Sequence, residues 1–145
     1  MQSIRVIKVE NQQDLEKAWA IRIRVFVEEQ QVDRSLEYDH EEESHHFLAF
    51  VGEIPVGTAR WRKTEKGIKL ERFAVLPEYR NQGVASALLN AVLSDAGKGE
   101  KIYLHAQEGA LDFYRRHGFV AEGDMFEEAG IRHFRMILPT KTGYD

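Results

Sequence analysis

The chain contains no cysteine, which excludes a disulfide framework, a thiolate metal site and a cysteine nucleophile. It also lacks an excess of basic residues: 20 Lys and Arg stand against 24 Asp and Glu, a formal net charge of −4. A phosphate-backbone partner wants a basic face, so nucleic acid is not expected, while a cationic partner is accommodated. No run of about 18 apolar residues is present to span a membrane. The opening SIRVIKV has no basic-then-apolar layout of a secretory signal. These absences lead to the expectation of a soluble cytoplasmic protein with no membrane partner. What remains is 145 residues, 43% of them hydrophobic, without internal repeat, low-complexity stretch or linker. That is the size and apolar content of one domain, 1–145, with its own core. The composition carries no signal for an oligomeric state.

The pattern along the chain predicts alternating strands and helices. SIRVIKV reads as a strand and NQQDLEKAWAIRIRVFVEEQ as a helix, followed by an acidic polar loop over residues 33–45. HHFLAFVG and VGTARWRK read as strands around a turn at Glu53–Ile54–Pro55, and IKLERFAVL as a third that stops at Pro77. In VASALLNAVLSDA, Val84, Ala85, Leu88, Leu89, Val92, Leu93 and Ala96 recur at steps of three and four, a helix ended by Gly97 and Gly99. KIYLHAQ is a strand, GALDFYRRH a short helix with Gly118 as its C-cap, and IRHFRMIL an alternating strand. In that last strand Phe134, Met136 and Leu138 fall on one face, His133 and Arg135 on the other. The order, roughly β-α-β-β-β-α-β-α-β, predicts an α/β (α+β) fold: a mixed sheet of about six to seven strands flanked by helices.

The most informative segment is ERFAVLPEYRNQGVASALL, a strand, a turn and a helix. The first turn of a helix presents unpaired N–H groups and the positive end of the dipole, where a pyrophosphate fits. Gly83 lets the backbone approach closely, Ala85 is small, and Arg80 can add a charge-assisted contact. Val75-Leu76-Pro77 followed by Arg80-Asn81-Gln82-Gly83-Val84-Ala85 resembles the acetyl-CoA motif of the GNAT superfamily of N-acetyltransferases. A second GNAT-like motif follows in Gln107-Glu108-Gly109-Ala110-Leu111-Asp112-Phe113-Tyr114-Arg115-Arg116-His117-Gly118-Phe119, with Gln107 where the family usually has Asn. The resemblance covers nearly the whole chain and is strongest over 69–119.

The resemblance implies the GNAT acyl-CoA N-acyltransferase fold, acetyl-CoA as cosubstrate, no metal, and acetyl transfer to a primary amine by direct attack in a ternary complex. The acceptor would be a small-molecule or peptide amine. It places Phe73, Ala74 and Val75 against the acetyl group and pantetheine, residues Arg80 to Ser86 (Arg80, Asn81, Gln82, Gly83, Val84, Ala85, Ser86) at the pyrophosphate, and Gln107 and Phe113 along the pantetheine. Such a transfer needs a neutral amine, a donor for the oxyanion, a proton for the leaving thiolate and two substrates held together. Tyr114 is the candidate general acid by the family motif. It is also the candidate core tyrosine, because Ala110, Phe113, Tyr114 and His117 share a helical face. Glu71, in step with Phe73 and Val75 on its strand, is the candidate base, directly or through water, or an ordinary strand glutamate. Two other function classes fit the same residues: a non-catalytic CoA-binding regulatory module, and an acyltransferase of the acyl-homoserine-lactone-synthase type.

The first helix carries a charge in an apolar stripe. At about 100° per residue, Leu15, Ala18, Trp19, Arg22, Val25, Phe26 and Glu29 fall on one side, and Glu16, Lys17, Arg24 and Glu28 opposite. A buried charge needs a partner. Arg22 pairs with Glu29, or snorkels off the helix end, or belongs, with Phe26 and Glu29, to a polar acceptor site. The stretch from Arg22 to Gln30, with Asp39 beyond it, also resembles a subgroup of small bacterial GNAT proteins. His105 and His133 are further acceptor-site candidates, or ordinary sheet residues. The run His40, Glu41, Glu42, Glu43, His45, His46 has metal-ligating side chains but reads as a solvated acidic loop rather than a metal site. Arg60, Trp61 and Arg62 read as sheet residues, at most acceptor contacts.

Overall fold

The computed structural model describes residues 3–36, 38–97 and 99–139. Eight strands form one mixed sheet in the order β1-β2-β3-β4-β5-β8-β6, with β7 paired to β8. The chain divides into two compact units.

The first unit contains the described residues up to Arg62 together with Glu71–Gly97. β1 (Ile4–Lys8) pairs antiparallel with β2 (His45–Val51), and β2 with β3 (Ile54–Thr64). β4 (Gly67–Val75) follows β3. α1 (Gln12–Arg22) starts where Asn11 Oδ1 accepts the Asp14 N–H at 2.8 Å, an N-cap that satisfies one orphan donor. The predicted helix continues to Glu29, but Ile23–Glu29 is π-helical, and Gln30 N donates to Val25 O five residues back. This wider winding changes the angular step after Arg22. Val25 and Phe26 stay buried, and Glu29 turns out to solvent. α2 (Val84–Ala96) buries Val84, Leu88, Leu89 and Val92, as their spacing predicts, and packs on β1 and β2.

Gly57 on β3 sets how closely α2 approaches. A Cβ there would lie 2.8 Å from Val84 Cγ1, 3.0 Å from Leu88 Cδ1 and 3.3 Å from Ala74 O. Gly57→Ala is therefore expected to lower unfolding stability by about 1–3 kcal/mol through overpacking, read as a lower urea midpoint at unchanged m.

The second unit contains Lys63–Leu70 and the described residues after Gly97. Here the start of β4 pairs parallel with β5 (Ile102–Gln107), Ile68 facing Ile102 and Leu70 facing Leu104. β5 pairs antiparallel with β8 (Ile131–Leu138). α3 (Leu111–Arg116) closes with Gly118 at φ 92°, and Phe119 N donates to Tyr114 O, in keeping with the C-cap expected there. β6 (Val120–Ala121) and β7 (Phe126–Glu128) bring the sheet to eight strands; two and three residues are too short to leave a period-two signal. β8 departs from the predicted alternation. His133 is buried along with Met136, and the ring of its cross-strand partner Phe126 on β7 stacks on it, on the face expected to be polar.

Candidate active site

In the first unit, β4 leads through a turn into α2. Asn81 (φ 62°) and Gly83 (φ 90°) are both left-handed, and Gly83 is the N-cap, with no side chain capping the helix. Within the chain a Cβ on Gly83 would meet only Ile4 Cδ1 at 3.7 Å, so the chain itself calls for glycine through the left-handed conformation. A helix start without a side-chain cap, entered through left-handed residues, is the geometry of an anion-binding nest. Val84 is buried, Ala85 and Ser86 are half-buried, and Asn81 and Gln82 are exposed. Gln82 Nε2 donates to Glu78 O at 3.1 Å. Arg80 lies beside the turn but already has partners: Nε donates to Val75 O (2.9 Å), and Nη1 and Nη2 to the two oxygens of Glu29 (2.9 and 2.7 Å). The Arg80 hydrogen bonds hold the Glu29 carboxyl below its ordinary pKa, against the smaller opposing effect of burial.

Glu29 is thus the partner of Arg80, which corrects the proposed Arg22–Glu29 pair. Arg22 is 1% exposed and its partner is Glu41 from the acidic run: Nη2 donates to Oε1 at 2.7 Å and Nη1 to Oε2 at 3.4 Å. Trp19 Nε1 donates to the same Oε1. Arg60 Nη1 donates to Glu41 Oε2 (2.6 Å), Arg60 Nε to Glu71 Oε2 (2.7 Å), and Arg62 Nε to that same Glu71 oxygen (2.9 Å). His46 is buried, and its Nε2 lies 3.1 Å from Glu41 O. Burial lowers the His46 pKa, so the ring is held neutral beside two guanidiniums. Burial pushes the Glu41 carboxyl up, but Arg22 and Trp19 outweigh it and the net shift is downward. A solvated loop was expected here. A run of like charges conceals which member turns inward, and the guanidiniums that select Glu41 come from α1 and β3.

On β4, Arg72 is left-handed (φ 59°), a conformation that a strand residue adopts only at a cost of roughly 1–3 kcal/mol and that clusters at functional sites. It interrupts the alternation of faces, so the shared parity of Glu71 with Phe73 does not carry across it. Its guanidinium lies 4.1 Å from the centroid of the buried Phe26 ring. Ala74 is buried, and Phe73 and Val75 are half-buried.

In the second unit, Tyr114 is buried on α3, with Phe113 and Phe119 rings 5.0 and 5.8 Å from its own. Burial pushes the phenol pKa well above its ordinary value of 10. Gln107 ends β5 and is half-buried. His105 Nδ1 is 3.1 Å from Glu128 Oε1, and His133 Nε2 is 3.7 Å from Glu128 Oε2. Glu128 was missed in the sequence, where it is one of two adjacent glutamates. The cue was the Ala129–Gly130 turn after it, left-handed at both residues (φ 52° and 78°), as a two-residue type I′ hairpin requires. Among the described residues, no group of three or more His, Asp or Glu side chains is placed to hold a metal ion, and no helix is long and apolar enough to cross a membrane.

A strand, an uncapped glycine turn and a helix beside a mixed eight-stranded sheet define an acyl-CoA N-acyltransferase architecture. The chain belongs to the GNAT acetyltransferase family, whose domain matches residues 8–139. It is 37% identical to the uncharacterised N-acetyltransferase YjcF of Bacillus subtilis, over 92% of this chain and 99% of that one. Among solved structures it is similar to an acyl-CoA N-acyltransferase from Pseudomonas aeruginosa, with a TM-score of 0.81 at 23% identity, covering 96% and 100% of the two chains. It is also similar to Arabidopsis thaliana Naa50 in complex with the bisubstrate analogue CoA-Ac-MVNAL, with a TM-score of 0.70 at 26% identity over 92% and 97%.

Proposed function

We propose that the chain is an N-acetyltransferase of one functional domain that moves an acetyl group from acetyl-CoA to a primary amine by direct attack in a ternary complex. The observation that carries this reading is the left-handed Gly83 at the uncapped start of α2, inside the segment that resembles the family's acetyl-CoA motif. Acetyl-CoA supplies an activated acyl group whose thioester needs no further activation by the protein. The chain's own residues bind, orient and supply donors. The N–H groups from Gly83 to Ser86 receive the pyrophosphate on the positive end of the α2 dipole. Arg80, placed there by Glu29, adds a guanidinium to the phosphate contacts. Backbone from Phe73 to Val75, set by the left-handed Arg72, offers hydrogen-bond donors to the developing negative charge on the carbonyl oxygen. Gln107 and Phe113 border the pantetheine arm. Tyr114 donates a hydrogen bond to the departing thiolate.

Two candidates from the sequence change role. Arg22 is engaged by Glu41, and Glu71 by Arg60 and Arg62, so both serve to hold β3, β4 and α1 in position, and Phe26 supports Arg72. The peptide-based analogue on Naa50 is in keeping with a peptide or small-molecule amine as acceptor.

Acetyl-CoA is expected to raise the melting temperature, since it binds the folded state alone; at 100 times Kd the stabilisation is about 2.7 kcal/mol. Gly83→Val should abolish that shift while the protein still melts cooperatively. No shift in the wild type at millimolar acetyl-CoA would overturn the reading, and a shift retained in the variant would remove the turn from it. A thiol-release assay with an amine panel separates an enzyme from a CoA-binding module.

A further inference from the structure

The hairpin of β7 and β8 aims two acceptors at one gap. His133 Nδ1 lies 2.7 Å from Ile131 O. A carbonyl oxygen only accepts, so the proton of the neutral ring is on Nδ1 and its Nε2 carries a lone pair. That lone pair faces Glu128 Oε2 at 3.7 Å, beyond hydrogen-bond distance. The other carboxylate oxygen, Oε1, receives the Nδ1–H of His105 at 3.1 Å. The His105 hydrogen bond keeps the Glu128 carboxyl below its ordinary pKa despite its partial burial, and the cation of Lys69 acts in the same direction. In its neutral form the His133 ring therefore presents a lone pair to the Glu128 carboxylate, with no proton between them. Around the gap, Phe126 stacks on His133 (centroids 5.8 Å, 23°) and meets His105 edge-on (5.0 Å, 78°).

We propose that Glu128 Oε2 and His133 Nε2 form the docking point for the acceptor, and that they select a primary ammonium group. One nitrogen bearing at least two N–H bonds satisfies both acceptors, and Phe126 supplies the aromatic wall. His133 Nε2 then takes one proton: the N–H bond breaks, an Nε2–H bond forms, and the acceptor is left as the neutral amine that acetyl transfer requires. The imidazolium keeps its bond to Ile131 O, gains Glu128 as an ion-pair partner, and returns the proton to water. A quaternary ammonium of similar size has no N–H to donate and is held less tightly. This rests on the N-acetyltransferase reading for its use, but the binding event does not depend on acetyl-CoA.

The test uses the full chain, labelled with nitrogen-15, and two probes, n-butylammonium and tetramethylammonium chloride. In its neutral form the His133 ring is expected to carry its proton on Nδ1, with Nε2 unprotonated. n-Butylammonium should shift the Nε2 resonance saturably, and tetramethylammonium should shift it far less at the same concentration. Glu128→Gln should abolish the response while keeping the thermal shift with acetyl-CoA. In turnover with the best amine of the panel, Glu128→Gln should raise the acceptor KM about 10- to 100-fold, the scale of a hydrogen bond to a charged group, with the acetyl-CoA KM unchanged. A resting Nε2 that is already protonated, an equal response to both cations, or an unaltered acceptor KM in Glu128→Gln would each overturn the proposal. Failure of acetyl-CoA to stabilise the wild type would instead strike the parent reading, so the two failures are distinguishable.

Discussion

Replacing Tyr114 with phenylalanine is expected to lower kcat about 100-fold while changing acetyl-CoA affinity far less. The ring stays packed between Phe113 and Phe119, and only the hydroxyl is lost. An interaction made only as the thiolate departs appears in kcat and not in binding. The structure also refines what the hydroxyl does. Burial raises the phenol pKa, whereas a thiol titrates at about 8.5. Full proton transfer from so weak an acid to a thiolate is uphill, so Tyr114 stabilises the leaving group by donating a hydrogen bond and the proton is supplied later by water. The sign of the shift has a second consequence. A phenol whose pKa is raised stays protonated past pH 10, so the wild-type kcat profile should show no alkaline loss from Tyr114 near that value. Wild-type turnover in Tyr114→Phe would reduce the residue to a packing role. An alkaline limb near pH 10 that disappears in the variant would show the phenol to be exposed to titration.

The parts of this protein that were legible in the sequence are those governed by local rules. The spacing of Val84, Leu88, Leu89 and Val92 dictates a helix with one buried face, and α2 has that face. Gly118 marks the left-handed C-cap of α3, and it has positive φ. The GNAT resemblance, carried by residues 75–85 and 107–119, agrees with the family the chain belongs to. What was not legible depends on tertiary partners. A wheel drawn at a constant angle treats residues 11–30 as one helix, and it fails after Arg22, where the winding becomes π-helical. Glu29 then leaves the apolar stripe to meet Arg80, 51 residues away. Glu41 sits among His40, Glu42 and Glu43, and nothing local distinguishes it. Glu128 bonds His105 and faces His133 only because the tight turn at Ala129–Gly130 folds β7 back on β8.

The buried arginine supplies the largest expected change in stability. Arg22→Met keeps most of the apolar stem and removes the charge, leaving the Glu41 carboxylate with Trp19 and Arg60 but without the guanidinium that outweighs its burial. Breaking such a buried pair from one side costs about 3–5 kcal/mol. Adding Glu41→Gln removes the stranded charge, so the double variant should recover a substantial part of the loss, and the coupling is read directly from the cycle of four proteins. Acid titration gives an independent check. Glu41 has a folded pKa below its unfolded value of about 4.3. Its contribution is therefore fully present above that unfolded value and is lost as pH falls through the lower folded one. Wild-type melting temperature should drop over this interval, and Glu41→Gln should flatten the drop. Acetyl-CoA should still raise the melting temperature of Arg22→Met, because the α2 turn does not depend on Glu41. If the single variant melts like wild type and instead loses acceptor affinity, Arg22 belongs to the acceptor site and the ion network is secondary.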